Sequence, residues 1–184
     1  MAIEVVPWTP AWAEAFEELA AVLREALRDV PSAIVEHVGS TSVPGLAAKP
    51  VLDVDVVVAA ADVEAAVDAL EGIGYLHRGD LGVTGREAFA APDLEPRRHV
   101  YVCLAGTLAV RNHLAVRDVL RARDDLRDEY AATKRMLAAQ PEMDVETYVA
   151  GKSVVLQKVL AESDLTEEER LAVLLLNGPA RPAP

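Results

Sequence analysis

Two aspartates on one predicted strand are the residues best placed to do chemistry. Asp53 and Asp55 lie in the segment PVLDVDVVV, residues 50–58. Side chains two positions apart on a strand leave the same face of the sheet. The apolar neighbours indicate an interior strand, where two carboxylates lose hydration and repel each other. Mg²⁺ or Mn²⁺ held by both would compensate the charge, with phosphate oxygens completing its coordination. The alternative is a structural pair held by helix N-termini or by arginine.

A turn of small residues precedes this strand. Gly39, Ser40 and Thr41 follow a predicted strand over residues 33–38. Glycine permits close backbone approach, and hydroxyl and N–H groups at a helix start can hold phosphate. The turn is not a Walker A loop, because no Lys-Ser or Lys-Thr pair follows Gly45. Beside the two aspartates, it predicts a phosphate-binding site; the alternative is an ordinary strand-to-helix turn.

The middle of the chain supplies positive charge within an acidic protein. The formal net charge is −12, whereas residues 94–135 carry nine Arg or Lys against six Asp or Glu, a local net charge of +3. On the predicted helix that carries them, His113 and Arg117 lie toward the apolar side. Arg117 is a candidate phosphate clamp and His113 a candidate general base. The alternative pairs Arg117 with an acid such as Asp118 or Asp144 and packs His113 in the core.

Several other side chains complete the predicted phosphate-binding set. They are Lys49, Arg86, Arg97, Arg98 and His99. For each of them the alternative is a solvated position in a loop or at a strand end. Tyr148 and Lys152 are four residues apart on a predicted helix, and core packing with the amine extended to solvent is the expected role.

Composition excludes several function classes. Hydrophobic residues make up 52% of the 184 residues and charged residues 26%, which is enough for a full core. An acidic chain with 4% aromatic residues is a poor binder of nucleic acid or anionic membrane. The single cysteine, Cys103, cannot form an internal disulfide. With no signal-peptide pattern and no apolar run of membrane-spanning length, we expect a cytoplasmic protein.

Hydrophobic periodicity predicts an α+β fold: a small mixed β-sheet with helices packed on it and a helical C-terminal part. Strands are predicted over residues 33–38, 50–58, 86–90 and 99–104. Helices are predicted from residue 10 to about 28, from 62 to about 72, and over 107–121, 124–139, 144–162 and 166–176. We expect one domain over residues 1–162, followed over 163–184 by a helix and a disordered tail. The last helix either mediates self-association as a homo-oligomer or packs on its own domain.

The stretch HVGSTSVPGLAAKPVLDVDV, residues 37–56, resembles the GrpB family, which has a nucleotidyltransferase-superfamily fold. The resemblance covers about residues 1–160, and its looser matches are Gly82, Gly85, Arg86, Phe89, His99, Asn112, His113, Leu114, Arg117, Asp118, Leu120, Arg121, Tyr130, Lys134, Asp144, Tyr148 and Lys152. It implies that Gly39 and Ser40 hold a triphosphate, and that Asp53 and Asp55 bind the divalent metal for phosphoryl transfer. Some relatives are fused to dephospho-CoA kinase.

One departure from the superfamily pattern concerns a third carboxylate, which active members usually place on a neighbouring strand. The candidate strand over residues 99–104 has none, and His99 is the residue that could take a role there. We expect a metal-dependent protein that binds an NTP or another phosphorylated small molecule. Its expected activity is that of a nucleotidyltransferase, which moves NMP from an NTP to a small-molecule or protein acceptor. The alternative is a non-catalytic nucleotide-sensing or partner-binding module.

Overall fold

A five-stranded mixed sheet organises the fold, which a computed structural model describes over residues 4–141 and 143–176. Its strands are β1 (Ile34–Val38), β2 (Leu52–Val58), β3 (Leu76–His77), β4 (Arg86–Ala90) and β5 (Arg98–Leu104). The spatial order is β1-β2-β5-β4-β3. The strands β2 and β5 are parallel, and the other neighbouring pairs are antiparallel. The mixed sheet and the α+β class are as predicted.

The helices follow the predicted order. They are α1 (Ala11–Ala26), α2 (Val63–Gly72), α3 (Leu108–Ala122), α4 (Asp124–Ala138), α5 (Val145–Gly151), α6 (Ser153–Ala161) and α7 (Glu167–Leu176). The single helix predicted over residues 144–162 is wrong, because the chain forms two helices that meet at Lys152. Gly151 explains the break: glycine is a weak helix former, and a Cβ there would meet a Leu137 methyl group at 2.7 Å.

One face of the sheet is a continuous apolar core. Leu52, Val54 and Val56 of β2 pack there with Val100 and Val102 of β5, beneath α1 and α2. Because strand side chains alternate, the residues between them must leave the other face. This confirms the prediction that the two aspartates of β2 share one face. The strand was predicted to be interior; in the structure, the face that carries Asp53 and Asp55 is the polar side of the sheet.

Helix α3 covers the polar side, and the C-terminal helices pack around it. The loop after β1 contributes Val43 and Leu46 to a second core with Leu120, Tyr130 and Val159. This core fixes α4 and α6 close to the turn that precedes β2. The functional side chains therefore come from the sheet on one side and from C-terminal helices on the other.

The last described helix packs on the same body as the rest. Its Val173 lies in a small core with Leu160 and Leu165. Thr166 and Glu169 form a capping box at its start: the side chain of each accepts a hydrogen bond from the backbone N–H of the other. The expected disordered tail falls in residues 177–184, outside the described part. Among the described residues, no helix combines the length and apolarity that crossing a bilayer requires.

Candidate functional site

A cleft of about 200 Å³ opens beside Asp53 on the polar side of the sheet. Five of its lining residues belong to the predicted set: Ser40, Thr41, Lys49, Asp53 and His99. The other four were given no site role by sequence reasoning: Val51, Lys134, Tyr148 and Lys152. The cleft thus has one wall from the β1–β2 region and β5, and a facing wall from α4, α5 and the Lys152 junction.

The turn at Gly39 is shaped by the Asp53 carboxylate. Gly39 has φ +69°, and a Cβ at this position would overlap the carboxylate of Asp53. Only glycine combines that backbone conformation with so close an approach. Ser40 then opens a short 3-10 helix (Ser40–Ser42), which the Ser42 hydroxyl fastens by donating to the Gly39 carbonyl at 2.6 Å. The small-residue turn predicted before β2 is therefore present, and it contains one turn of 3-10 helix.

His99 lies on β5, the neighbouring strand on which the superfamily pattern would place a third carboxylate. The parallel pairing of β2 and β5 places it directly beside Asp53. Its Nδ1 lies 2.9 Å from Oδ1 of Asp53, and this hydrogen bond raises the pKa of His99 above its usual range. About a third of the Asp53 side chain, 35%, is exposed, so the carboxylate remains open to the cleft.

Asp55 lies deeper than Asp53. It is fully buried, and its Oδ2 lies 2.7 Å from Nδ1 of His113 on α3. Burial is the largest influence and lowers the pKa of His113, but the hydrogen bond to Asp55 and the negative charges of Asp55 and Asp53 together outweigh it, so the net direction is upward. The second oxygen, Oδ1, is buried and has no hydrogen-bond partner. A buried carboxylate oxygen without a partner is costly, so this atom is a candidate ligand for a cation.

The buried Lys134 and the half-buried Lys152 form the facing wall. Lys134 donates from Nζ to the Ser40 hydroxyl at 2.9 Å and is 2% exposed. Burial, with added repulsion from Lys152, lowers its pKa to about 6. Burial and the charge of Lys49 lower the pKa of Lys152 to about 8. Both amines can therefore gain a proton when an anion enters the cleft.

Two lysines of the cleft contact the ring of Tyr148. The Nζ atoms of Lys49 and Lys152 lie 4.5 and 4.7 Å from the centre of its ring. Burial raises the pKa of Tyr148 to about 12, so the phenol stays neutral, and burial lowers the pKa of Lys49. The ring therefore makes a cation–π contact with each of the two amines. The expected snorkelling of Lys152 into bulk solvent is replaced by an amine that lines the cleft.

Arg117 does not line the cleft. Its guanidinium binds Glu36 at 2.6 Å and Asp118 at 2.7 Å, and it also donates to the His37 carbonyl. The alternative reading, in which Arg117 pairs with Asp118, describes this contact. Glu36 and Asp118 occupy the N–H groups of the guanidinium with which Arg117 would bind a phosphate.

Arg98 and Arg86 also lie outside the cleft. Arg98 forms a two-pronged pair with Asp93 and donates to the Tyr75 hydroxyl, which together hold its pKa above the usual range. The guanidinium of Arg86 lies 4.5 Å from the centre of the Tyr101 ring. Arg98 is therefore committed to structural partners, whereas Arg86 has the ring contact and a buried Nε without a hydrogen-bond partner among the described residues.

Arg97 lies next to the cleft rather than in it. A second cavity of about 250 Å³ contains Arg97 and the exposed Leu94, and it shares Val51 and His99 with the cleft. The side chain of Arg97 is exposed, whereas that of Arg98 is buried and paired with Asp93. Arg97 therefore lines a cavity that borders the cleft at Val51 and His99.

The missed lysines had one weak sequence signal. The chain uses four lysines against fourteen arginines, and three of the four line the cleft. Arginine cannot lose its proton in proteins, whereas a buried lysine can. The scarcity of lysine was therefore the one sequence feature that pointed to these positions, although the exposed Lys158 lies outside the cleft.

The carboxylates of Asp53 and Asp55 suit a divalent cation that is bound partly by the protein and partly by a phosphorylated ligand. No group of three or more His, Cys, Asp or Glu side chains could hold a metal ion within the described residues. Two carboxylates on one strand face, one with an unpartnered oxygen, do match Mg²⁺, which takes one or two carboxylates and completes its shell with phosphate oxygens and water. The site fits a metal bound together with a phosphorylated ligand, and not a metal caged by protein alone.

Sequence comparisons place this geometry among known proteins. A sequence model of the GrpB protein family matches residues 2–162. UPF0157 protein BH1888 of Halalkalibacterium halodurans is 36% identical over 89% of this chain and 84% of its own length. UPF0157 protein YqkA of Bacillus subtilis is 34% identical over 82% of this chain, and the match spans only 44% of that relative's length.

Solved structures agree on the fold. The conserved protein GrpB from Enterococcus faecalis matches with a TM-score of 0.73 at 35% identity, over 86% of this chain and 98% of that one. The GLD-2/RNP-8 complex matches with a TM-score of 0.54 at 14% identity, over 88% and 63%. The Cid1 poly(U) polymerase bound to MgATP matches with a TM-score of 0.50 at 13% identity, over 83% and 51%. At such identities the last two show a shared fold alone.

Proposed function

The chain belongs to the GrpB family, and from the geometry of its cleft we propose that it is a metal-dependent nucleotide-binding protein. The phosphate chain of an NTP would lie in the cleft, between the carboxylate of Asp53 and the lysines of the facing wall. The cleft, at about 200 Å³, is of a size for phosphate groups rather than for a whole nucleotide. The nucleoside would then extend out of it.

One observation carries the proposal: three lysines converge on one small cleft in a chain of net charge −12. A polyanion is the ligand that such a cluster attracts, since its phosphates compensate the repulsion between the ammonium groups. Ser40 and Thr41 add hydroxyl groups, and the turn at Gly39 brings backbone close to Asp53. These groups together resemble a phosphate cradle more than a structural cluster.

Asp53 and the unpartnered oxygen of Asp55 would hold Mg²⁺ or Mn²⁺ beside the phosphates. When bound, the cation supplies charge neutralisation at phosphate oxygens. His99 orients the Asp53 carboxylate by its hydrogen bond, and His113 fixes Asp55 against α3. The lysines on the opposite wall hold the distal phosphates and favour a leaving pyrophosphate.

The proposed reaction transfers a nucleoside monophosphate to a small-molecule or protein hydroxyl. The cavity that holds Arg97 supports an acceptor position, because it meets the cleft at His99 and Val51. The acidity of the chain disfavours an RNA acceptor, whose phosphates require clustered basic residues. The Cid1 poly(U) polymerase, which has a similar fold and was solved with MgATP, is a precedent for binding a metal and a nucleotide together. The acceptor is proposed from this chain alone.

A second candidate is a non-catalytic nucleotide-sensing module. The feature that favours it is His99, which occupies the strand position beside Asp53 where an acid was expected. A histidine is a neutral or cationic partner, and it adds no negative charge to hold a second cation. In this candidate the cleft binds metal and nucleotide, but no transfer follows.

Thermal stability with ligands tests binding. We expect Mn²⁺ together with an NTP to raise the Tm of the wild-type protein, and Asp53→Asn to abolish that rise. Asp68→Asn, an exposed aspartate on α2 across the sheet, is the matched control and should keep it. If the wild type shows no shift with any of the four NTPs and either cation, the proposal is wrong.

Pyrophosphate release separates the two candidates. With Mn²⁺, NTP and a mixture of small hydroxyl compounds, a transferase releases pyrophosphate in proportion to the acceptor added. The sensing module shows the same Tm shift and no release above the Asp53→Asn background.

A further inference from the structure

Lys134 is set apart from the other lysines of the cleft by the surroundings of its amine. Its Nζ lies 4.6 Å from the centre of the Tyr130 ring and donates to the neutral hydroxyl of Ser40. Within the described residues no carboxylate forms an ion pair with it, whereas the exposed Lys158 binds Glu129. A buried ammonium without a counter-ion is costly, so the neutral amine is favoured.

The charges that face Lys134 act in the same direction. Burial is the largest influence on its pKa, followed by the positive charges of Lys152 and Arg135, and only Asp53 opposes them. The pKa of about 6 that results leaves the lone pair free at neutral pH. A desolvated lysine next to another cationic group is a recognised way to make a nucleophilic amine.

The cleft also selects what can approach this amine. Lys134 lines it together with Lys49 and Lys152, whose ammonium groups flank the Tyr148 ring. An anionic group is attracted to that pair, and the cleft of about 200 Å³ keeps the rest of a small ligand close to Lys134. A compound with both a phosphate and a carbonyl group would use both features: Lys49 and Lys152 would bind its phosphate, and the amine of Lys134 would react with its carbonyl carbon.

We propose that Lys134 captures phosphorylated aldehydes as an imine, with the phosphate held by Lys49 and Lys152. The amine lone pair forms a C–N bond to the aldehyde carbon. The carbonyl oxygen takes up the two amine protons and leaves as water, so that no oxidant, reductant or metal is needed. The inference rests on the anion-binding part of the proposed function and requires neither Asp53 nor a nucleotide.

Pyridoxal 5′-phosphate is the probe, with borohydride to trap the imine and peptide mass mapping to locate it. At limiting reagent we expect one adduct per chain at Lys134, and at least tenfold less labelling by pyridoxal, which lacks the phosphate. Lys134→Met should remove the adduct, and Lys158→Met, which changes an exposed lysine, should keep it. Mapping the wild-type adduct identifies the lysine even if a variant folds poorly.

The pH profile gives a signature that a structural lysine does not have. We expect the initial rate at Lys134 to change less than about twofold between pH 7 and 8, because its amine is neutral in the free protein and the phosphate of the probe is held by Lys49 and Lys152 rather than by Lys134. An ordinary lysine amine gains about tenfold in neutral fraction over the same unit. Labelling spread over all four lysines, labelling at Lys49 or Lys152 instead, or no adduct would overturn the inference.

The two proposals fail separately. An imine at Lys134 without any NTP-dependent Tm shift contradicts the proposed nucleotide function alone. A nucleotide shift without an imine contradicts this inference alone. Inorganic pyrophosphate should slow imine formation where both are correct, since both ligands use the same lysines.

Discussion

Nδ1 of His113 lies 2.7 Å from Oδ2 of Asp55, a carboxylate with no exposed surface, although 58 residues separate the two along the chain. This contact ties α3 to the central strand of the sheet. It also leaves one Asp55 oxygen unpartnered, on the face that carries Asp53. The pair is therefore both a structural contact and the base of the candidate metal site.

Removing the imidazole should destabilise the fold strongly. His113→Ala leaves Asp55 as a buried, uncompensated charge, which costs about 3–5 kcal/mol when one partner of a buried pair is lost. His113→Asn keeps a donor near the Nδ1 position and should cost markedly less. Urea unfolding of the two variants measures the difference. Equal losses would mean that the hydrogen bond to Asp55 contributes little.

Lys134 should make the stability depend on pH. Its folded pKa of about 6 lies below the unfolded value, so the unfolded chain binds more protons between the two. Unfolding free energy therefore rises with pH in that window, by up to about 1.4 kcal/mol per unit. We expect Lys134→Met to be more stable than wild type at pH 7, with the gap narrowing toward pH 9.

The matched control for this titration is Lys158→Met. Lys158 is half exposed and paired with Glu129, so its replacement should give a stability difference that stays flat with pH. Urea unfolding of the three proteins at pH 6.5, 7.5 and 8.5 makes the comparison. A flat difference for Lys134→Met as well would show that its amine is charged in the folded protein.

Anion binding should take up protons. An anion in the cleft favours the charged forms of Lys134 and Lys152, whose free pKa values are about 6 and about 8. Affinity for pyrophosphate should therefore increase as the pH falls from about 8 to about 6. Calorimetry at pH 7.5 in buffers of different ionisation enthalpy should give an uptake of about one proton. In Lys134→Met that uptake should fall, and no buffer dependence in the wild type would contradict the expectation.

Gly39 should tolerate no side chain. Gly39→Ala adds a Cβ that overlaps the Asp53 carboxylate and forces a left-handed backbone on alanine, at a cost of at least about 2 kcal/mol. Gly82→Ala is the matched control, because Gly82 has φ +79° with nothing near its Cβ position. That variant should lose about 1 kcal/mol. Chemical denaturation compares them, and equal losses would mean that Asp53 moves aside freely.

Local pattern was enough to predict the sheet side of the site. The period of two along residues 50–58 fixed which face carries Asp53 and Asp55, and the small-residue turn located Ser40 beside them. These features depend on neighbours in the chain. Backbone alternation and glycine conformation decide them before any tertiary contact forms.

The helical wall could not be predicted in the same way. Lys134 and Ser40 are 94 residues apart, and periodicity alone does not distinguish a helix face that fills a core from one that lines a cleft. For Arg98 and Arg117 the problem was the opposite: both were predicted to bind phosphate but are paired with acids outside the cleft. The helical wheel placed Arg117 toward the apolar side as a candidate phosphate clamp, but its partner Glu36 comes from a strand 81 residues earlier.

The parallel pairing of β2 with β5 has a consequence for how this protein emerges from the ribosome. Asp53 meets its histidine only after residue 99 has been made, and the amines across the cleft follow at residues 134 and 152. A nascent or truncated chain that stops before α4 holds the carboxylates but none of those amines. Any anion captured between the two walls therefore stabilises finished molecules selectively and gives no protection to partial ones.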